Sequence, residues 1–167
     1  SSNSGTFLID GETVTSDNYV KIAGGTFQIT DGSYTVTNNT NTSHKIEGGT
    51  LDIDGGTINI GETADNSADL NINSGTLDIS GGTLNISDEL DVSTGTINQS
   101  GGTINIKYYV GSGNGSSSDK FEMDAGSLNL TGGILNLRGQ TANTTTCAMD
   151  IASGVTVNAS SSHTINV

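Results

Sequence analysis

Residues 74–107 read SGTLDIS, GGTLNIS, DELDVS, TGTINQS and GGTINIK when cut into phrases. Almost every phrase is a turn of small residues, a Thr, and then an apolar–polar–apolar triplet. Alternation with period two puts one side chain in and the next out, which is a strand with one buried face. The phrases recur at a step of about seven residues. That leaves room for a short strand and a corner, and no room for a helix.

The same phrases run through the whole chain. The leading apolar residues Phe7, Phe27, Leu51, Leu77, Ile97, Leu128 and Val155 stand 20, 24, 26, 20, 31 and 27 residues apart. The base step is 20 residues and holds three strand phrases. On a first side the inward pairs are Phe7/Ile9, Phe27/Ile29, Leu51/Ile53, Leu77/Ile79, Ile97/Gln99, Leu128/Leu130 and Val155/Val157. On a second they are Val14/Ser16, Tyr34/Val36, Ile58/Ile60, Leu84/Ile86, Ile104/Ile106, Leu135/Leu137 and Ile165/Val167. On a third they are Val20/Ile22, His44/Ile46, Leu70/Ile72, Leu90/Val92, Phe121/Met123 and Met149/Ile151. Like phrases stacked above one another predict an all-β chain, a three-sided parallel β-helix (β-solenoid) of about seven rungs. Residues 1–167 form a single domain in this reading, right-handed by analogy with known three-sided helices. Rungs about 4.8 Å apart give a prism roughly 30 Å long.

Glycine pairs such as Gly55-Gly56, Gly81-Gly82 and Gly101-Gly102 fall at the corners, where the backbone turns sharply and lies close to the corner above. The chain has no Pro, as strands paired on both edges require. Departures from the base step come from insertions at 38–43, 62–69, 108–120 and 139–146, all between the second and third sides. They are expected to project from one edge, where solenoids often bind their partners. Residues 1–5 are too short for a cap, and the last rung stops at Val167 after its second side. With no initiator Met and no signal-peptide pattern, the expectation is a processed or excised piece of something longer, or ends that meet other copies.

Composition narrows the partners. Five Lys and Arg against eighteen Asp and Glu give a net charge of −13, which disfavours nucleic acid and anionic membranes. No stretch approaches a membrane span. The hydrophobic fraction of 31% is low, but a thin core fed by a few residues per coil needs little more. The one Cys, Cys147, excludes an internal disulfide, and parity with Met149 and Ile151 points it inward as a small hydrophobe.

The outward positions carry the polar signals. Asn59, Asn85, Asn105, Asn136 and Asn166 should stack on the second side, with Thr35 below, as a hydrogen-bonded amide ladder of structural role. Gln28, Asp52, Asp78, Asn98 and Asn129 form a second ladder on the first side. There the pair Asp52 and Asp78 repels unless a cation or water screens it, which makes these two the candidate metal (calcium) residues. The Gly-Gly-x-Gly-x-Asp pattern of calcium-binding solenoids is absent. On the third side Lys21 and Lys45 precede Asp91, Glu122 and Asp150, a charge-graded face. Thr57/Asn59, Thr83/Asn85 and Thr103/Asn105 make rows that could order water, the basis of an ice-binding reading. His44, at an inward or corner position, and His163, at a corner, have no nucleophile pattern beside them. No catalytic residue and no cofactor site is read.

The phrases GGTLDID, GGTINIG, SGTLDIS and GGTLNIS resemble the repeat regions of large secreted bacterial surface proteins. These are filamentous-haemagglutinin-like and autotransporter-type adhesins, and similar repeats in secreted proteins of gliding bacteria. The resemblance implies a β-helix shaft, an extracellular or cell-surface place, and adhesion or fibre formation. The expected function is therefore a non-enzymatic structural protein whose partners are its own copies or adjacent repeats, with surface glycans as a further partner. The alternative is a carbohydrate- or calcium-binding module that uses the insertion edge or the Asp/Asn ladder. An enzyme acting on polysaccharide ranks last.

Overall fold

The computed structural model describes residues 4–37, 44–61, 68–107, 121–138 and 149–167, without the side chains of Lys107 and Arg138. In chain order the strands are β1 (Thr6–Ser16), β2 (Lys21–Ile22), β3 (Thr26–Val36), β4 (His44–Ile46), β5 (Thr50–Ile53), β6 (Thr57–Ile60), β7 (Leu70–Ile72) and β8 (Thr76–Ile79). They continue as β9 (Thr83–Ile86), β10 (Leu90–Val92), β11 (Thr96–Gln99), β12 (Thr103–Lys107), β13 (Phe121–Leu130), β14 (Gly133–Arg138), β15 (Met149–Ala159) and β16 (His163–Asn166). Every pairing is parallel. The fold is the β-solenoid that the spacing predicts, with three sides joined at corners where β1, β3, β13 and β15 run on from one side to the next.

The vertical columns follow from the parity of the sequence. On the first side Phe7, Phe27, Leu51, Leu77, Ile97 and Leu128 are stacked partners. On the second, Val14, Tyr34, Ile58, Leu84, Ile104, Leu135 and Ile165 are. On the third, His44, Leu70, Leu90, Phe121 and Met149 are. Strands of three or four residues expose a polar side chain between two buried ones, and β5 through β11 keep that rhythm. The inward residues form one continuous core from Ile9 to Leu137, with Ile29, Ile53, Ile72, Leu84 and Ile86 fully buried. Each such side chain contributes roughly 1.5–3 kcal/mol of burial. At the first-rung end the rings of Phe7 and Phe27 lie 5.2 Å apart, and Tyr34 meets Phe27 edge-on at 5.0 Å.

One register differs from the spacing. The last first-side pair is Val157/Ala159, not Val155/Val157: Leu128 stacks on Val157, and Val155 pairs with Gly126 at the corner. β15 shifts register between the partners of Met123 and Ala125 and so holds one extra residue. A polar contact pays for this choice. Asn158 Nδ2 donates to Asn129 Oδ1 at 2.7 Å, a bond that the other register would replace with Thr156.

The insertions at 38–43, 62–69, 108–120 and 139–146 lie outside the described residues, except Ala68 and Asp69, and so does Cys147. Ala68 is buried and ends a described stretch against Ser87, whose hydroxyl accepts from its N–H at 3.3 Å.

Candidate functional site

The second side carries an unbroken amide ladder. Asn59 Nδ2 donates to Thr35 Oγ1 at 3.1 Å, Asn85 to Asn59 Oδ1 at 2.8 Å, and Asn105 to Asn85 Oδ1 at 2.9 Å. Asn136 donates to Asn105 Oδ1 at 2.8 Å, and Asn166 to Asn136 Oδ1 at 2.6 Å. All the sequence-predicted ladder residues are thus brought together. Every amide points the same way, so the bonds polarise one another along the column. Asn85→Ala removes a donor below and an acceptor above, and is expected to cost about 1–2 kcal/mol. The shift in urea midpoint against wild type measures this; a midpoint unchanged would mean that water replaces the ladder without loss.

The first-side ladder is split. Asn98 Nδ2 donates to Asp78 Oδ1 at 2.5 Å, Asn129 to Asn98 at 2.8 Å, and Asn158 extends the run. Below it the amide of Gln28 does not meet Asp52. It turns to the corner and donates to Asp54 Oδ2 at 2.8 Å, while Ser80 Oγ donates to Asp54 Oδ1 at 2.6 Å. The bonds from Ser80 and then Gln28 hold the Asp54 carboxyl below its ordinary range. Asp52 and Asp78 do stack as partners in β5 and β8. Partial burial, then the charges of Asp54 and Asp78, push Asp52 upward. Asp54 is the residue that sequence reading missed here; its signal was an Asp at a corner where most rungs carry Ser or Thr, Asp10 being the other exception. Among the described residues no group of three or more His, Cys, Asp or Glu side chains converges as metal ligands.

The Thr row of the second side runs Ser33, Thr57, Thr83 and Thr103, then meets Ile134, 40% exposed. An apolar side chain therefore interrupts the regular hydroxyl array. The third side stacks Lys21, Lys45, Asn71, Asp91, Glu122 and Asp150 in one outward column. Lys21 Nζ pairs with Glu47 Oε2 at 2.6 Å, a half-exposed ion pair that raises the lysine through that bond and charge. Burial, then the nearby Asp124, pushes Asp91 upward.

Two interior polar groups break the apolar columns. Gln99 sits 1% exposed between Ile79 and Leu130. Its Nε2 donates to the carbonyls of Ile134 at 3.0 Å and Gly102 at 3.4 Å, and its Oε1 lies 2.9 Å from His163 Nε2. With both amide hydrogens pointing at carbonyls, Oε1 faces the ring and His163 donates. His163 occupies the corner position of Gly133 one rung on, where a tight turn closed by its N–H to Ser160 O replaces the glycine pair. His44, also 1% exposed, accepts the Val20 N–H on Nδ1 at 3.1 Å, and its Nε2 is buried without a partner among the described residues.

No protein-family model matches the chain, and no curated protein or solved structure does. The reading of function therefore rests on the geometry of the faces and the end rungs.

The exposed apolar residues concentrate at those ends. Phe7 is 54% exposed, Val157 48%, Ile165 42% and Val167 89%, although their column partners one rung inward lie largely or wholly inside. An open groove of about 310 Å³ between Phe7 and Lys21 lies at the first-rung end, floored by Phe27.

Proposed function

We propose that the chain is a structural, non-enzymatic shaft element of an extracellular surface fibre or adhesin. It would stack end to end through its terminal rungs, as a separate subunit or as one segment of a longer shaft. The observation that carries the reading is the contrast between buried inner columns and the same columns laid open at both ends. An edge strand with free N–H and C=O groups and apolar side chains is a template for another strand. Three sides run through to both ends, so a second coil can continue the columns.

The third side gives that stacking a direction. Its column starts at Lys21 and Lys45 and finishes at Glu122 and Asp150. Head-to-tail order brings a basic end towards an acidic one, whereas head-to-head order opposes like charges. The acidic, amide-rich walls favour solvation of the sides and leave the ends as the sticky surfaces.

The test is electron microscopy of the purified chain with sedimentation across a concentration series. Rods that lengthen with concentration, and shorten as salt rises from about 0.05 to 0.5 M and screens the charges, are expected. Single solenoids at every concentration would reject the reading.

A further inference from the structure

The third-side inward column reads Val20, His44, Leu70, Leu90, Phe121 and Met149, apolar at every rung except His44. That histidine is sealed in the core. Beside it lies a cavity of about 20 Å³ lined by Val20, Ile22, Phe27, Leu51 and Ile58, with Tyr34 and Lys45 also at its wall. A void of this size holds at most about one water, and a water there needs two to four polar partners. The surface that faces the void is almost wholly apolar and offers few.

The ring makes one bond, and that bond defines its proton state. Val20 N–H can only donate, so Nδ1 must be the bare nitrogen and the single ring proton sits on Nε2. Nε2–H then has no acceptor among the described residues. A second proton must go on Nδ1, which turns it into a donor facing the Val20 donor. The Val20 bond breaks, and a cation is left in an apolar wall. Burial also depresses this histidine below its ordinary value.

What the bond holds is small. β2 is two residues long and pairs only with β4. It is tied there by Lys45 N–H to Val20 O at 2.9 Å, Glu47 N–H to Ile22 O at 2.8 Å, the exposed Lys21–Glu47 ion pair, and the His44 contact. We propose that His44 is an acid-operated latch: on taking a second proton its ring releases Val20, and the third-side strand of the first rung swings away from the coil. Opening uncovers Ile46 and Phe27 and removes the first-rung end of the third side. This device stands on the His44 site alone and does not require the stacking reading.

Titratable groups lie on each element packed around the ring, most of them on outward faces. Lys21 lies on β2 and Tyr34 on β3. Lys45 is on β4 itself, followed by Glu47, and Asp52 is on β5. Asp69, whose carbonyl accepts the His44 N–H at 2.9 Å, precedes β7. His44→Leu keeps all of them and restores the apolar column, so the difference between wild type and this variant isolates the imidazole.

Hydrogen exchange by mass spectrometry of the intact chain, corrected for the intrinsic pH dependence, tests the latch. Protection of residues 20–22 should fall by up to about tenfold per pH unit below 6.5 in wild type and stay level in His44→Leu. The sign follows from the depressed value: above pH 6.5 both open and closed states are neutral, and below it only the open state gains the proton. Parallel losses in the two proteins would overturn the proposal. A second readout needs no variant. Nitrogen-15 NMR of the ring should show a bare Nδ1 at neutral pH, with its protonation coinciding with loss of the Val20 amide protection. A doubly protonated His44 beside a still-protected Val20 would overturn it equally.

Discussion

Gly82→Ala is expected to destabilise the solenoid by roughly 2–5 kcal/mol, the sum of a left-handed backbone penalty and an overpacking cost. Gly82 has φ of +63°, a conformation that costs any residue with a Cβ. An added Cβ would lie 2.4 Å from the Gly55 carbonyl oxygen and 2.8 Å from that of Gly56. Both obstacles are backbone of the neighbouring rung and are held in the ladder, so neither can swing aside. Gly56 and Gly102 show the same φ and the same kind of obstruction, which makes this corner a column of residues that must lack a side chain. Gly154 is the control: its nearest neighbour would be Asp124 O at 3.8 Å, ordinary contact, and its φ is outside the strained region. Gly154→Ala should stay within about 0.5 kcal/mol of wild type. Urea unfolding followed by far-ultraviolet circular dichroism compares the two. Equal midpoints for Gly82→Ala and Gly154→Ala would refute the close-corner account.

Phe121→Ala should cost a comparable 3–5 kcal/mol, the range for deleting a large buried aromatic side chain. Phe121 is 1% exposed and stacks between Leu90 and Met149. The rungs on either side are fixed by their own ladders, so the vacated space cannot collapse. Phe121→Leu restores the residue type of Leu70 and Leu90 in the same column and should recover most of the loss. Phe7→Ala, at a residue 54% exposed on the end rung, should cost about 1 kcal/mol or less. Because each rung touches only its neighbours, the Phe121 lesion is expected to lower the stability of the adjoining coils first. Thermal melts read at several wavelengths would show this as a broadened transition. A Phe121→Ala protein as stable as Phe7→Ala would mean that the core is not stacked as described.

The columns were legible because parity and the 20-residue step each carry independent information. Parity assigns Leu84, Asn85 and Ile86 to in, out and in, and the step places Asn85 between Asn59 and Asn105. The amide ladder then follows, since its members have no other close partner of the same kind. The first-side ladder was less legible. Gln28 has a longer side chain than Asn and reaches past Asp52 to Asp54, a diagonal choice that no stacking rule anticipates. The first-side strand of the last rung was misplaced by two residues because a valine at position 155 looks like the head of a strand. Asn158 on Asn129 and the longer corner at His163 set the register instead.

The sequence alone determined which side chains turn inward, how many coils they make and where the glycine corners fall, since these depend on periods of two and twenty that survive any small change of path. The tertiary structure decided which polar groups meet. Gln99 finds His163 across 64 residues, and His44 finds the Val20 amide and, among the described residues, nothing for its other nitrogen. Those pairings depend on corner conformations and on side-chain reach of a few ångströms, and neither is written in a repeat.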